Sequence, residues 1–322
     1  MDHSPIGRSG PIVSRIGLGC NNFGGRLTEA ESRPIIDRAL DLGVTFFDTA
    51  DSYGDRGGSE TVLGNVLGAR RKDLVLATKF GRSVLDASKR RTGNGRAYVV
   101  EAVEGSLRRL RTDWIDLYQV HFPDPATSIL ETIGALDDLV RQGKIRAFGL
   151  SNFSAAELRE ACRLARAEGL SEPVSVQSEL SLIERDSRTE MLPVAQEQGV
   201  GLIAYRPLAS GLLSGKYRLG QPPAAGTRLA KMERHAEKYL QDQKLKLAAV
   251  LGEFARDYGR DVVELAIAWV LAHSGVASVI PGASTAEQLV TSVSAAGWQL
   301  SAEQMKELDG LLATEDDQRT TR

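Results

Sequence analysis

The sequence predicts an α/β protein folded as a single (β/α)8 TIM barrel, with an N-terminal β-hairpin ahead of it and a long loop after the seventh strand. Three observations predict it. Eight short apolar, β-branched runs alternate with amphipathic stretches. Most run-to-run intervals are about 30 residues, the size of one βαβ unit. No G-x-G-x-x-G turn follows the first run, as it would in an open dinucleotide-binding sheet. Alternating strands and helices call for a parallel sheet under helices, and a count of eight favours closing it.

The elements follow in order. Residues 4–14, with Arg8-Ser9-Gly10-Pro11 between short apolar groups, read as a hairpin over the bottom of the barrel. The strand runs occupy 15–19, 44–48, 74–79, 115–121, 145–151, 173–177, 200–205 and 276–281. Thr28 and Glu31 form a capping box for the first helix. Further helices are expected at 59–67, 97–110, 128–141, 155–168, 187–197 and 245–258, with 286–296 and 302–312 closing the chain. The interval from Tyr205 to Ile280 is the longest. Its first part, 207 to 239, is rich in Gly, Pro and charge, and is expected to cross the active-site face. No stretch reads as a linker, so 1–322 is taken as one domain.

Composition narrows the function. A hydrophobic share of 42% supports a large core. A net charge of -2 gives no general attraction to nucleic acid or an anionic membrane. Neither a signal-peptide pattern nor an apolar run of membrane length is present, and two cysteines, Cys20 and Cys162, make no disulfide framework. A reducing cytoplasmic compartment is expected.

In such a barrel, functional groups stand where strands end. The run 44–47 leads into Asp48 with Tyr53 just beyond, 74–78 leads into Lys79, and 115–120 leads into His121. Each has a structural explanation: a turn cap, a loop aromatic, a snorkelling lysine, a satisfied histidine. Convergence on one rim is harder to explain that way, because an ammonium ending a hydrophobic strand needs a partner, and Asp48 supplies it. A free tyrosine titrates near ~10. A neighbouring ammonium favours the phenolate, so Tyr53 becomes a general acid for a carbonyl oxygen or a base for an alcohol. His121 would add a second hydrogen bond to the same oxygen. With neither a nucleophile nor a metal-ligand set in evidence, the group suits proton delivery beside a hydride source.

These residues resemble the aldo-keto reductase superfamily, in family order, from Ile16 to about the final helix. Gly43-Val44-Thr45-Phe46-Phe47-Asp48-Thr49-Ala50-Asp51-Ser52-Tyr53-Gly54 is similar to its first signature. Leu107-Arg108-Arg109-Leu110 with Asp113, Asp116-Leu117 and His121 is similar to its second. The resemblance implies a catalytic tetrad of Asp48, Tyr53, Lys79 and His121. It implies that Ser151 and Asn152 bind a nicotinamide carboxamide with help from Gln177, and that Tyr205 stacks on the nicotinamide ring. It further implies that Arg206, Pro207, Leu208, Ala209, Gly211, Leu213 and Lys216 fold over a pyrophosphate, with Arg228 reaching the adenosine phosphate. Gly282, Ser284 and Gln288 would hold the adenosine end. The expected cofactor is NADP(H), with NAD(H) also admitted. Ser284 stands where many members carry Arg or Lys for a 2′-phosphate, and Thr291 and Ser292 replace an adenine-binding Glu/Asn pair. The similar potassium-channel β-subunits share the Gly-Ala-Ser pattern. Asn22, Phe23, Phe80 and Phe122 are candidates for an apolar substrate wall, equally readable as loop packing. The expected substrate is a small carbonyl compound. A sugar or polyol dehydrogenase working oxidatively, and a redox-sensing regulatory subunit, remain the alternatives.

Overall fold

The computed structural model describes residues 1–81 and 93–320, with side chains described through residue 313. Eight parallel strands form one sheet in chain order: β1 (Leu18–Gly19), β2 (Phe46–Asp48), β3 (Val75–Phe80), β4 (Ile115–Val120), β5 (Ile145–Ser151), β6 (Ser175–Glu179), β7 (Gly201–Tyr205) and β8 (Val276–Ile280). Parallel bridges Ile16–Val279 and Gly19–Gly282 join the first strand to the last and close the barrel. Helices α1 (Glu29–Asp41), α2 (Tyr53–Leu67), α3 (Arg96–Leu110), α4 (Ile129–Arg141), α5 (Ala155–Ala167), α6 (Met191–Gln198), α7 (Asp242–Asp257), α8 (Val262–Leu271), α9 (Ala286–Ser294) and α10 (Ala302–Thr320) cover it.

The leader forms the expected hairpin, His3–Pro5 against Ile12–Ser14, and stoppers the lower end. Arg8 N donates to Gly199 O at 2.9 Å, and Ile6 and Val13 enter the barrel's interior cluster. Strand period two then explains where the chemistry lies. Phe46, Ala77, Leu117 and Ile203 point inward with Ala147 and Ala277, large beside small, to form an apolar floor. Two residues further along the same strands, the inward positions are Asp48, Lys79, Gln119 and Tyr205, with Gln177 on β6. Outward neighbours such as Phe47, Leu76, Phe80, Tyr118 and Val176 pack under the helices. A polar layer therefore rests on a dry floor.

Some boundaries moved. The first strand is two residues long, and the sixth starts at Ser175 rather than at Pro173, whose ring cannot donate to a ladder. The helix expected at 187–197 is broken into Asp186–Thr189 and α6. The long loop holds two short helices, Arg228–Lys231 and Glu233–Tyr239. The sequence reading omitted α8. Its residues, Val-Val-Glu-Leu-Ala-Ile-Ala-Trp-Val-Leu, are almost all buried, so the two-sided pattern that marks a surface helix is missing. Its cap was readable: Asp261 Oδ1 accepts from Val263 N at 2.7 Å, and Glu264 Oε2 accepts from Asp261 N at 3.0 Å.

Candidate active site and cofactor cleft

The polar layer forms the base of a cavity of about 350 Å3. Lys79, fully buried, is held at Nζ by Asp48 Oδ2 at 2.5 Å and by Thr49 O at 2.8 Å. The other Asp48 oxygen accepts from Gln177 Nε2 at 2.8 Å and Gln119 Nε2 at 3.1 Å. Both carboxylate oxygens are thus committed, which is what a buried ion pair requires. Burial alone would pull the Lys79 ammonium down, but Asp48 and the Tyr53 hydroxyl outweigh it and hold the group above its ordinary value.

Tyr53 lies over this pair. The Lys79 Nζ is 5.0 Å from its ring centroid, and the His121 ring meets it edge-on with centroids 5.7 Å apart. Asp48, Tyr53 and His121 line the cavity, while Lys79 sits beneath it. The four expected tetrad residues are brought together. Tyr53 owes its position to a left-handed turn, because Gly54, Asp55, Arg56 and Gly57 all have positive φ before α2 becomes regular. Gly54 is the tightest point: a Cβ there would lie 2.3 Å from Phe23 O and 2.6 Å from Ser59 N. Gly54→Ala should lower stability by about 2 kcal/mol and depress turnover, measured by thermal unfolding and steady-state rates.

Ser151 ends β5 and Asn152 follows it on the same rim. Asn152, at φ +62°, donates to His121 O at 2.8 Å and accepts from Tyr205 Oη at 2.7 Å. These bonds lock the histidine, asparagine and tyrosine loops together. Burial, then the nearby Glu179, pushes Tyr205 up to about 12, so its ring stays neutral. Gln177 is engaged with Asp48, so it shapes the carboxylate as well as the rim. Its partner Gln119 was not singled out from the sequence. A glutamine inside an apolar strand, two residues before His121, was the available signal.

A second cavity of about 510 Å3 continues from the first, sharing Arg26, Arg206, Arg228 and Gly282 with it. Pro207, Leu208, Gly211, Lys216, Ser284 and Gln288, all among the expected cofactor residues, line it together with Thr291 and Ser292. Ala209 and Leu213 do not. Their side chains are buried in the hydrophobic core, so only their backbone can face a nucleotide. Phe23 and Phe80 are likewise fully buried, Phe80 stacking on Tyr118 at 4.8 Å, and neither lines the catalytic cavity. Phe122, 38% exposed and stacked on His121, does line it. Asn22 belongs to the larger cavity, donating to Ala283 O and Ser284 Oγ. Arg26, Met232 and His235 were not anticipated. Arg26 Nη2 reaches Met232 Sδ at 2.5 Å across the mouth, and His235 Nδ1 lies 2.8 Å from Ser210 Oγ. Burial, then Arg206 and Arg228, lowers His235 to about 4, so it is neutral at ordinary pH.

The larger cavity fits a dinucleotide by charge. Burial, then Arg26 and Arg206, lowers Arg228 to about 10, and its Nε is buried with no partner among the described residues. Cations crowded this closely are relieved by a diphosphate. Among the described residues no cluster of His, Cys, Asp and Glu could hold a metal ion, and no helix is long and apolar enough to cross a membrane.

Comparison with known proteins agrees with this architecture. Residues 15–313 match the model of the aldo/keto reductase family, and the chain belongs to that family. It is similar to an uncharacterized oxidoreductase, YrpG, of Bacillus subtilis strain 168, with 36% identity over 97% of this chain and 96% of the relative. It is 34% identical to the aldo-keto reductase YhdN of the same organism, over 97% of this chain and 94% of that protein. It is also 34% identical to a probable voltage-gated potassium channel subunit beta of Oryza sativa subsp. japonica, over 92% and 91% respectively.

Proposed function

We propose that this family member is an NADP(H)-dependent reductase that converts an aldehyde or ketone to the alcohol, with Tyr53 as general acid. The observation that carries the reading is a phenol stationed over a fully buried ammonium in a cleft it shares with a histidine. A nicotinamide at the catalytic cavity, with its nucleotide running into the larger one, would supply the hydride. Tyr53 hands its proton to the carbonyl oxygen as negative charge gathers there, and the ammonium beneath it stabilises the phenolate left behind. His121 offers the same oxygen a second hydrogen bond. Ser151 and Asn152 would hold the carboxamide, and Tyr205 would stack on the ring. Arg206, Lys216 and Arg228 would hold the phosphates, with Gly282, Ser284 and Gln288 at the adenosine end. The reducing cytoplasm suits Cys20 and Cys162, both buried free thiols.

The test is a panel of aldehydes, ketones and aldoses followed by loss of NADPH absorbance. Turnover above an enzyme-free control is expected with at least one class, and none across the panel would overturn the reading. Fluorescence titration should give tighter binding of NADPH than of NADH. Arg228→Ala should weaken NADPH about tenfold or more, one charge-assisted contact's worth. Equal or tighter binding of NADH would contradict the assigned preference. The likeness to a channel β subunit keeps a redox-sensing role as the second reading. A sensor would bind the nucleotide yet turn over neither carbonyls with NADPH nor alcohols with NADP+. Faster turnover on the alcohols would instead point to a polyol dehydrogenase.

A further inference from the structure

Behind the catalytic loop lies a second, buried group of ionisable side chains that the proposed chemistry leaves unused. Asp51 stands two residues before Tyr53, and its backbone N donates to Lys79 O at 3.0 Å, so it is tied to the strand carrying the lysine. Its carboxyl turns away from the cleft. Tyr98 Oη, on α3, approaches Asp51 Oδ2 at 3.4 Å, while Oδ1 is buried with no partner among the described residues, as are the neighbouring Ser52 Oγ and the Tyr118 hydroxyl on β4. The nearest guanidinium is already committed: Arg109 Nε donates to Glu60 Oε2 at 2.7 Å, and Thr78 Oγ1 donates to Glu60 Oε1 at 2.6 Å. Asp51 is therefore faced by Glu60 from α2, Arg109 and Tyr98 from α3, Lys79 from β3 and Tyr118 from β4. Two carboxylates lie near one arginine, and among the described residues only Glu60 has both oxygens hydrogen-bonded.

We propose that Asp51 is a positioning residue of the reaction: its buried carboxyl takes up and releases a proton, and that change of charge alters how readily Tyr53 gives up its own. The inference rests on the reductase reading for its consequence, though not for the titration itself. Burial, then Glu60, raises the Asp51 carboxyl to about 7, despite the opposing pull of Arg109, the Tyr98 hydrogen bond and Lys79. The sign follows. Below that pH the carboxyl is neutral and the Lys79 ammonium acts on Tyr53 undiminished. Above it a new negative charge offsets part of the ammonium's influence and opposes charge on the Tyr53 oxygen. Carbonyl reduction should therefore fall as pH rises through about 7.

The experiment has two arms. In cofactor-free protein, the infrared band of a protonated buried carboxyl should disappear as pH rises through the neutral range. It should be missing in Asp51→Asn and shifted to higher pH in Tyr98→Phe, which removes a hydrogen bond that favours the ionised form. In steady-state reduction, kcat of the wild type should drop roughly threefold to tenfold across that range, the size expected of one charge acting through a partly polar interior. Asp51→Asn, which mimics the neutral form, should lose that step, and Tyr98→Phe should move it upward. A carboxyl already ionised at pH 5, or superimposable wild-type and Asp51→Asn pH profiles, would overturn the inference. The infrared arm reads the same whether or not any carbonyl is turned over, so failure of the reductase reading is separately visible.

Discussion

Tyr53→Phe is expected to reduce carbonyl turnover about 1000-fold while nucleotide affinity stays within about twofold of wild type. A positioned general acid contributes on the order of 100- to 10,000-fold, and a thousandfold corresponds to about 4 kcal/mol of transition-state stabilisation. The substitution deletes one oxygen and leaves the ring, which meets His121 edge-on and covers Lys79, in place. The larger cavity is lined by residues from other loops, so its grip on a dinucleotide should not change. Single-turnover kinetics with pre-bound NADPH isolates the chemical step, and fluorescence titration measures affinity. A loss under tenfold would mean that another group delivers the proton.

The second large effect concerns stability. Asp48→Ala should destabilise the protein by about 3–5 kcal/mol, the cost of leaving a buried charge without its partner, and lower the midpoint by roughly 4–7 °C. Lys79 would retain only the neutral partners Thr49 O and the Tyr53 hydroxyl, and the amides of Gln119 and Gln177 would lose the carboxylate oxygen they both bind. Adding Lys79→Met should restore much of the loss, because the double variant buries no charge there. Differential scanning calorimetry of the two single variants and the double closes this cycle. Strict additivity would show that the pair is not energetically coupled. The double variant should remain inactive, which separates folding from chemistry.

Much of this was legible in the sequence because strand period and site chemistry coincide. Asp48, Lys79 and His121 end consecutive apolar runs, so one rule about strand ends located them without knowledge of their distances. Tyr53 was reachable as the tyrosine in the loop just beyond Asp48, and the structure shows the turn that follows it to be left-handed. What escaped has identifiable causes. Helix α8 is apolar on every side and resembles a strand run more than a helix. Gln119 was passed over although a lone amide in an apolar strand, one period-two step before His121, marked it. The lid residues Met232 and His235 sit in a polar stretch where nothing fixes which side chain turns inward. Phe23 and Phe80 were assigned to the rim by proximity in sequence, yet alternation sends Phe80 outward beneath the helices, and tight turns bury Phe23.

The hairpin that stoppers the lower end of the barrel has a practical consequence. It carries the amino terminus to the pole opposite the cleft, so a tether or fluorescent label attached there would stand clear of both cavities. Anchored to a solid support by that end, the molecule would present its mouth to the surrounding liquid, with substrate free to come and go.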